Sequence, residues 1–306
     1  MTRERSDVSP GSAETRRLLL VALTLAVLGA ADGVVQGQSP QATQQKFEDF
    51  DPKVFTKSTR IDNEWLPLKP GTRFVYEGTT IEDDGTAVPH RLVVNVTDLV
   101  KVIGGVASLV SWDLDYSDGE LVEAELAFFA QDDAGNVWRM GEHPEEYEEG
   151  KFVAAPTWIH GIEGSRAGIE MRAKPQPGTP SYSQGWAPAV DFTDRGKVDQ
   201  VGQKVKVPSG DYQDVLVIAE VSGAEKDAQQ LKQYARGVGN IRVGWKGAGE
   251  KTKETLELVK VEQLSPEALA EVRAKALLLE KNAYKISKNV YAQTAPAKPA
   301  PDAGSR

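Results

Sequence analysis

From residue 121 to residue 130 the chain alternates. Val122, Ala124, Leu126, Phe128 and Ala130 are apolar, and Glu123 and Glu125 fall between them. A period of two lays the apolar set on one face of a strand and leaves the other face wet. Asp132, Asp133, Gly135 and Asn136 then reverse the chain, and Val137-Trp138 opens a return strand. The same grammar of strand, polar turn and strand fills most of the sequence. Residues 72–81 are rich in β-branched and aromatic side chains and are turned by Asp83-Asp84-Gly85. Residues 91–103 follow, with a bulge expected near Asp98, and Gly104-Gly105 is a two-residue hairpin signal. Residues 106–116 place Val110, Trp112, Leu114 and Tyr116 on one face, and Asp118-Gly119 is the next tight turn.

The second half adds strands at 203–207 and 212–221, flanking Pro208-Ser209-Gly210-Asp211. Val215 to Ala219 is apolar on both faces, which predicts a central strand. Residues 231–234, 240–245 and 255–263 complete the β content. Between the halves, residues 164–188 form a long Gly-, Pro- and Ser-rich loop. After Ser265, an N-cap, and Pro266, the apolar residues Leu269, Val272, Ala276, Leu279, Ala283, Ile286 and Val290 recur in steps of three and four. This predicts an amphipathic helix over 265–291, docked on the sheet rather than paired in a coiled coil. The expected architecture is mainly β (α+β): a curved antiparallel sheet or open barrel covered by a C-terminal helix, in one domain over 50–291. The Pro/Ala-rich stretch 292–306 is expected to be a disordered tail.

Composition narrows the classes. Of 306 residues, 40% are hydrophobic and 26% charged, which suits an ordinary globular core. Net charge is −9 with no basic stripe, so nucleic acid is not an expected partner. There is no cysteine, which excludes disulfides, thiolate nucleophiles, Cys-ligated zinc and an N-terminal lipoprotein cysteine. Residues 18–31 (LLLVALTLAVLGAA) follow Arg16-Arg17 and fit a secretory signal, with 1–37 as the leader. Thr15-Arg16-Arg17-Leu18-Leu19-Leu20 is close to a twin-arginine motif; general secretion and an uncleaved N-terminal anchor are the alternatives. No stable membrane span is expected after cleavage. Residues 38–49 read as a flexible lead-in, and Asp62 to Gly71 as a proline-braced approach to the domain.

Motifs for chemistry are thin. G-x-S-x-G and the Walker loop are absent. Glu142 and His143, in an acidic cluster with Glu145, Glu146, Tyr147 and Glu148, are the candidate metal ligands for a metal-assisted hydrolase. The competing expectation there is a solvated acidic turn. Asp132, Asp133 and Asn136 fail the spacing of a calcium loop and read as turn formers. Gly237-Val238-Gly239 lacks the third glycine of a phosphate loop.

Three motifs together carry a resemblance. They are Asp62-Asn63 with Pro67-Leu68-Lys69-Pro70-Gly71-Thr72, then Ala130-Gln131-Asp132 through Gly135-Asn136-Val137-Trp138 and Gly141-Glu142, then Tyr234-Ala235-Arg236-Gly237-Val238-Gly239. The set resembles a family of exported, β-rich bacterial proteins of unknown function. Arg139-Met140 stand where the family often has Tyr-Phe, and Ala235-Arg236 replace a usual Ala-Pro. The resemblance spans roughly 61–291, implies a β-rich exported protein, and assigns no catalytic residue.

The leading functional expectation is non-enzymatic binding of an apolar or amphiphilic small ligand or lipid, with no cofactor. The candidate ligand-binding residues are Trp138, Trp158, His160, Met171, Tyr182 and Trp186, on or near the long loop. A metal-assisted hydrolase and a structural or envelope interaction module, dimeric through the helix stripe, are the alternatives.

Overall fold

The computed structural model describes residues 46–82, 84–222, 227–250 and 253–300. The leader and most of the lead-in lie outside them. In chain order the elements are β1 (Thr72–Ile81), β2 (Ala87–Ile103), β3 (Val106–Ser117), β4 (Glu120–Gln131), β5 (Val137–Glu148), β6 (Lys151–Ala154), β7 (Trp158–Ile159) and β8 (Arg166–Met171). Then come β9 (Tyr182–Ser183), β10 (Gly185–Trp186), β11 (Arg195–Val207), β12 (Gly210–Val221), β13 (Gln229–Ala235), β14 (Gly239–Lys246), β15 (Lys253–Gln263), helix α1 (Pro266–Ile286) and β16 (Lys298–Pro299).

All strand pairings are antiparallel among the described residues. The meander β1 to β5 and the meander β11 to β15 join where β1 pairs with β15, from Thr72 opposite Gln263 to Ile81 opposite Lys253. The tight turns follow the chemistry of their residues. Gly104 and Gly105 both have positive φ, the conformation of a two-residue hairpin matched to strand twist. The ladder between β2 and β3 slips between Val96 and Val100, which is the bulge at Asp98. The run Val215 to Ala219 is fully buried in β12, between β11 and β13.

The sheet curls but does not close strand to strand. Its ends, β8 and β11, are bridged by one short segment. Tyr182 and Ser183 pair with Gly196 and Arg195, and Gly185 and Trp186 pair with Ala167 and Arg166. Gly168 is needed here, because a Cβ on it would lie 2.4 Å from the backbone of Gln184. The long loop of the sequence is therefore divided into β8, the seam segment and their connections. Glu48, from the lead-in, accepts from the Ser183 amide at 2.9 Å and pairs with Arg172 at 3.4 Å.

The two faces carry separate cores. The concave core holds Phe74, Tyr76, Phe129, Leu216, Ile218, Tyr234, Ile241, Leu256 and Leu258. The convex core holds Leu99, Val110, Leu126, Phe128, Ala130, Met140 and the helix residues Val272, Ala276, Leu279 and Ala283. The helix stripe is thus spent on its own sheet. Ser265 caps the helix by accepting from the Ala268 amide at 3.2 Å. The helix ends at Ile286, short of the expected 291. It lies on the convex side, and no residue of it lines the cavity on the concave face. The stretch 292–306 was expected to be a disordered tail; within its described part, Lys298-Pro299 pairs with Val100 and Leu99 of β2.

A plug seals one end of the barrel. Ile61, Trp65 and Leu68 join the concave core. Asn63, buried, fixes the plug from its centre: its Oδ1 accepts from the amides of Trp65 at 2.8 Å and Leu66 at 3.0 Å, and its Nδ2 donates to Gly135 O at 2.8 Å. Gln131 accepts from the Asn63 amide at 2.8 Å and donates to Asp62 at 2.7 Å. On the other side the Gly237 amide donates to Glu64 O at 2.8 Å, and the Arg236 guanidinium lies 4.1 Å from the Trp65 ring centre. The three motifs that carry the family resemblance therefore meet in space, around this plug.

On the convex side, fully buried Lys101 joins sheet, helix and C-terminal segment. Its Nζ bonds Glu280 at 2.9 Å, Tyr284 OH at 3.1 Å and Ala295 O at 2.7 Å, and sits 4.2 Å from the Tyr291 ring centre.

Two outcomes follow for stability. Asn63→Ala strands Gly135 O and the two plug amides, so it is expected to cost about 3 kcal/mol, read as a lower urea midpoint at constant slope. Lys101→Met takes the cation from buried Glu280 and leaves it only the bonds from Tyr291 OH at 3.1 Å and the Ala297 amide at 3.0 Å, which is expected to cost about 3 kcal/mol; Lys101→Met with Glu280→Met is expected to recover part of it. Equal loss in the single and double variants would contradict the buried pair.

Candidate functional site

The concave face is not filled. A cavity of about 280 Å³ lies between the two meanders, near the small end of ligand pockets, about 300–1,000 Å³. Strand register orders its walls. Toward the plug they are apolar: Leu66, Leu68, Phe74, Val94, Phe129 and Tyr234. Toward the opposite hairpin ends they carry Asp115, Glu123 and Glu254, with Asp113, Glu125, Arg139, Glu170 and Lys232 between.

This reverses the expected sides of β4. The apolar set Ala124, Leu126, Phe128 and Ala130 does face a core, but the convex one beneath the helix. Glu123 and Glu125, expected on a wet face, line the cavity. The strand alternates as the sequence says, and both of its faces are covered.

Arg139 is the electrostatic centre. Its Nη1 lies 2.5 Å from Glu142 and 3.7 Å from Glu125, its Nε bonds Glu170 at 3.0 Å, and its guanidinium is 5.2 Å from the Phe129 ring centre. Lys232 pairs with Glu220 at 2.6 Å, and Gln184 of the seam donates to the other oxygen of Glu220 at 2.6 Å. Nearer the rim, His90 Nε2 is 2.6 Å from Asp115, and its Nδ1 is 3.4 Å from Glu254 and 3.1 Å from Thr80 Oγ1.

Protonation follows from burial and from this crowding. Burial, then the charges of Asp115, Glu142 and Glu146, push Glu123 up to about 8. Burial and Glu142 hold Glu125 well above the carboxylate range, against the pull of Arg139. Burial raises Asp113 to about 6, and burial with Glu220 raises Asp194 to about 7. Burial would pull His90 down, but Asp115 and Glu254 outweigh it and the imidazolium is favoured. Burial would likewise raise Glu170, yet Arg139 and Lys232 hold it below its usual value.

The residues singled out by sequence lie elsewhere. Trp138 is in the convex core and donates to Asp132 at 2.9 Å. Trp158 is buried against Phe192, ring centres 4.9 Å apart. His160 accepts from the Ala167 amide at 3.0 Å, with Phe50 at 4.2 Å. Tyr182 sits in the seam beneath the Arg172 guanidinium, and Trp186 packs on Phe47. Met171 belongs to the concave core. None of these six is among the residues lining the cavity. Glu142 and His143, adjacent on β5, point to opposite faces. Glu142 turns in to Arg139; His143 is buried outside, 2.7 Å from Thr157 Oγ1 and beside the Tyr291 ring. The expected acidic turn is instead part of a strand running to Glu148. Among the described residues no three His, Asp or Glu side chains converge as a metal site. Asp132 accepts from Asn136 and Trp138, and Asp133 from Thr56, so these acids hold their turn.

The lining acids were within reach of sequence reasoning. Asp113 and Asp115 alternate on β3 as Glu123 and Glu125 do on β4, and the register sets Asp113 opposite Glu125 and Asp115 opposite Glu123. Like charges facing each other across a ladder are unfavourable on an ordinary surface. Here that pattern coincides with the charged part of the cavity wall.

The raised carboxyls give stability an inverted pH dependence. Folded Glu123 keeps its proton to about pH 8, while the unfolded side chain loses it near 4.5, so the folded state binds more protons between those values. The Glu123 contribution therefore declines as pH rises through that window. Urea unfolding of Glu123→Gln is expected to match the parent near pH 4.5 and to exceed it increasingly toward pH 8. A difference that stays constant with pH would contradict the burial of this acid.

No family model and no curated protein matches the chain. Among solved structures, a Bacteroides fragilis protein named as a candidate exported protein with a YMCC-like fold has 12% identity and a TM-score of 0.39, over 65% of this chain and 99% of that one. A candidate lipoprotein of Parabacteroides distasonis has 12% identity and a TM-score of 0.31, over 66% of this chain and 100% of that one. At these values neither likeness bears on what the chain does.

Proposed function

We propose that this is an exported, non-enzymatic protein that holds one small amphiphile inside its barrel. The observation that supports this most is the graded cavity: apolar at the plug, carboxyl-lined at the far end, and walled by strands of both meanders. Such a gradient suits a guest with one apolar end and one polar end. The hydrogen-bonded plug and the ion pairs of Arg139 hold the walls in place before a guest arrives, which limits the ordering cost of binding. Export is supported by the apolar run 18–31 behind Arg16-Arg17. No helix among the described residues is long and apolar enough to cross a membrane.

Native mass spectrometry of protein recovered from its own exported pool is expected to show one bound small amphiphile per chain. Val94→Phe places extra volume in the apolar end of the cavity and is expected to reduce occupancy at least tenfold with unchanged far-ultraviolet dichroism. A Val94→Phe protein that retains the same adduct at full occupancy would sink the proposal.

A further inference from the structure

The barrel wall is lightly held at its seam. β9 meets β11 through two residue pairs and β10 meets β8 through two, whereas β2 and β3 pair from His90 opposite Ser117 to Ile103 opposite Val106. Polar groups are also left unmatched there. Among the described residues, eight buried side-chain polar atoms lack a hydrogen-bond partner. Four of them belong to the seam or to residues packed against it: Tyr182 Oη, Gln184 Oε1, Trp158 Nε1 and Arg172 Nε. The Arg172 guanidinium lies 4.6 Å from the Tyr182 ring centre, and a Cβ on Gly185 would lie 3.0 Å from the Trp158 ring. Tyr182, Gln184 and Trp158 are each no more than 2% exposed. Every such atom raises the closed arrangement relative to one that water reaches.

Three consecutive residues of the lead-in cross this seam. Arg195, at the start of β11, donates through Nη1 to Lys46 O at 2.8 Å. The Phe47 ring meets the Trp186 ring of β10 edge-on at 5.6 Å, and the Arg166 guanidinium of β8 lies 4.6 Å from its centre. Glu48 joins the Ser183 amide of β9 to Arg172, just beyond β8. Residues 46–48 thus reach both ends of the sheet and both strands of the seam. Phe50 pins the chain behind them, 4.2 Å from the His160 ring and 5.7 Å from the Trp138 ring. None of these contacts is a strand ladder, so a local opening can release them together.

The wall behind the seam is the cavity wall. Gln184 donates to Glu220 at 2.6 Å, Glu220 pairs with Lys232, and Lys232 lines the cavity with Glu170 of β8. Lifting 182–186 would part β8 from β11 and lead to these side chains. We propose that the seam is a side gate through which the guest enters the barrel, and that residues 46–48 are the strap that bolts it. The proposal rests on the cavity reading above and adds the route by which the cavity fills.

The absence of cysteine makes the test clean, because a pair introduced across the seam forms the one disulfide in the protein. Arg166 and Trp186 are register partners on one edge, and Ser183 and Arg195 on the other, within reach of a disulfide. Arg166→Cys with Trp186→Cys, and separately Ser183→Cys with Arg195→Cys, lock each edge in turn. The probe is 1-decanol, with affinity read by calorimetry and entry and release rates by magnetic resonance. In at least one variant, oxidation is expected to slow entry and release at least tenfold at unchanged affinity, and a reductant to restore both. Phe47→Ala with Glu48→Ala is expected to speed both at least tenfold, again at unchanged affinity. Rates indifferent to either lock would send the guest through the carboxyl-lined end and overturn the gate while the cavity reading stands. Slowing by a lock with no effect of the strap variant would keep the gate and overturn the bolt. If no form binds 1-decanol, the cavity reading falls together with the gate as a route. Hydrogen exchange at the Gln184 and Ala187 amides then reads the bolt alone: at least tenfold faster exchange in the strap variant supports it, and equal exchange overturns it.

Discussion

The barrel depends on how its lower end is stoppered. A curled sheet whose interior is partly empty gains little from side chains meeting across its middle, so its shape has to be held at the ends. Asn63 supplies that hold at one end. It is buried, and its amide group and its backbone N–H together reach the plug, the β4–β5 turn and the segment after β8. An amide in such a position is strong because leaving any of those partners unmade inside the protein is costly. The plug in turn supplies the cavity floor through Leu66, Pro67 and Leu68.

The far end is held by charge. Arg139 gathers three carboxylates from three strands, β4, β5 and β8, and Lys232 draws in Glu220 beside the seam residue Gln184. The Arg139 pairs tie the first meander to β8, and Glu220 ties the second meander to the seam through Gln184. Burial makes the arrangement exacting: each carboxyl without a cation is driven toward its neutral form. The interior is thus held by ion pairs at one end and by the plug at the other.

The convex face does a different task. Its core is conventional, with a helix stripe on an apolar sheet face and one buried cation, Lys101, that fastens helix and C-terminal segment together. Because the helix covers the outside, the cavity is independent of it. The cavity and the helix-covered core thus lie on opposite sides of one sheet.

Much of this was legible in the residues. Alternation located the strands, paired glycines and Asp-Gly located the hairpins, and steps of three and four located the helix, because each reports local backbone geometry. The bulge at Asp98 and the central place of Val215 to Ala219 were legible for the same reason. What alternation cannot state is which face of a strand turns inward once a sheet curls. Glu123 and Glu125 share a face in any strand; only closure around Phe74, Tyr234 and Leu256 made that face the inside. Likewise Asn63, Gln131 and Gly237 are motif residues far apart in the chain, and only the tertiary fold brought them to one plug. Local periodicity fixes which side chains travel together, while curvature and long-range register, set by contacts distant in sequence, decide what they meet.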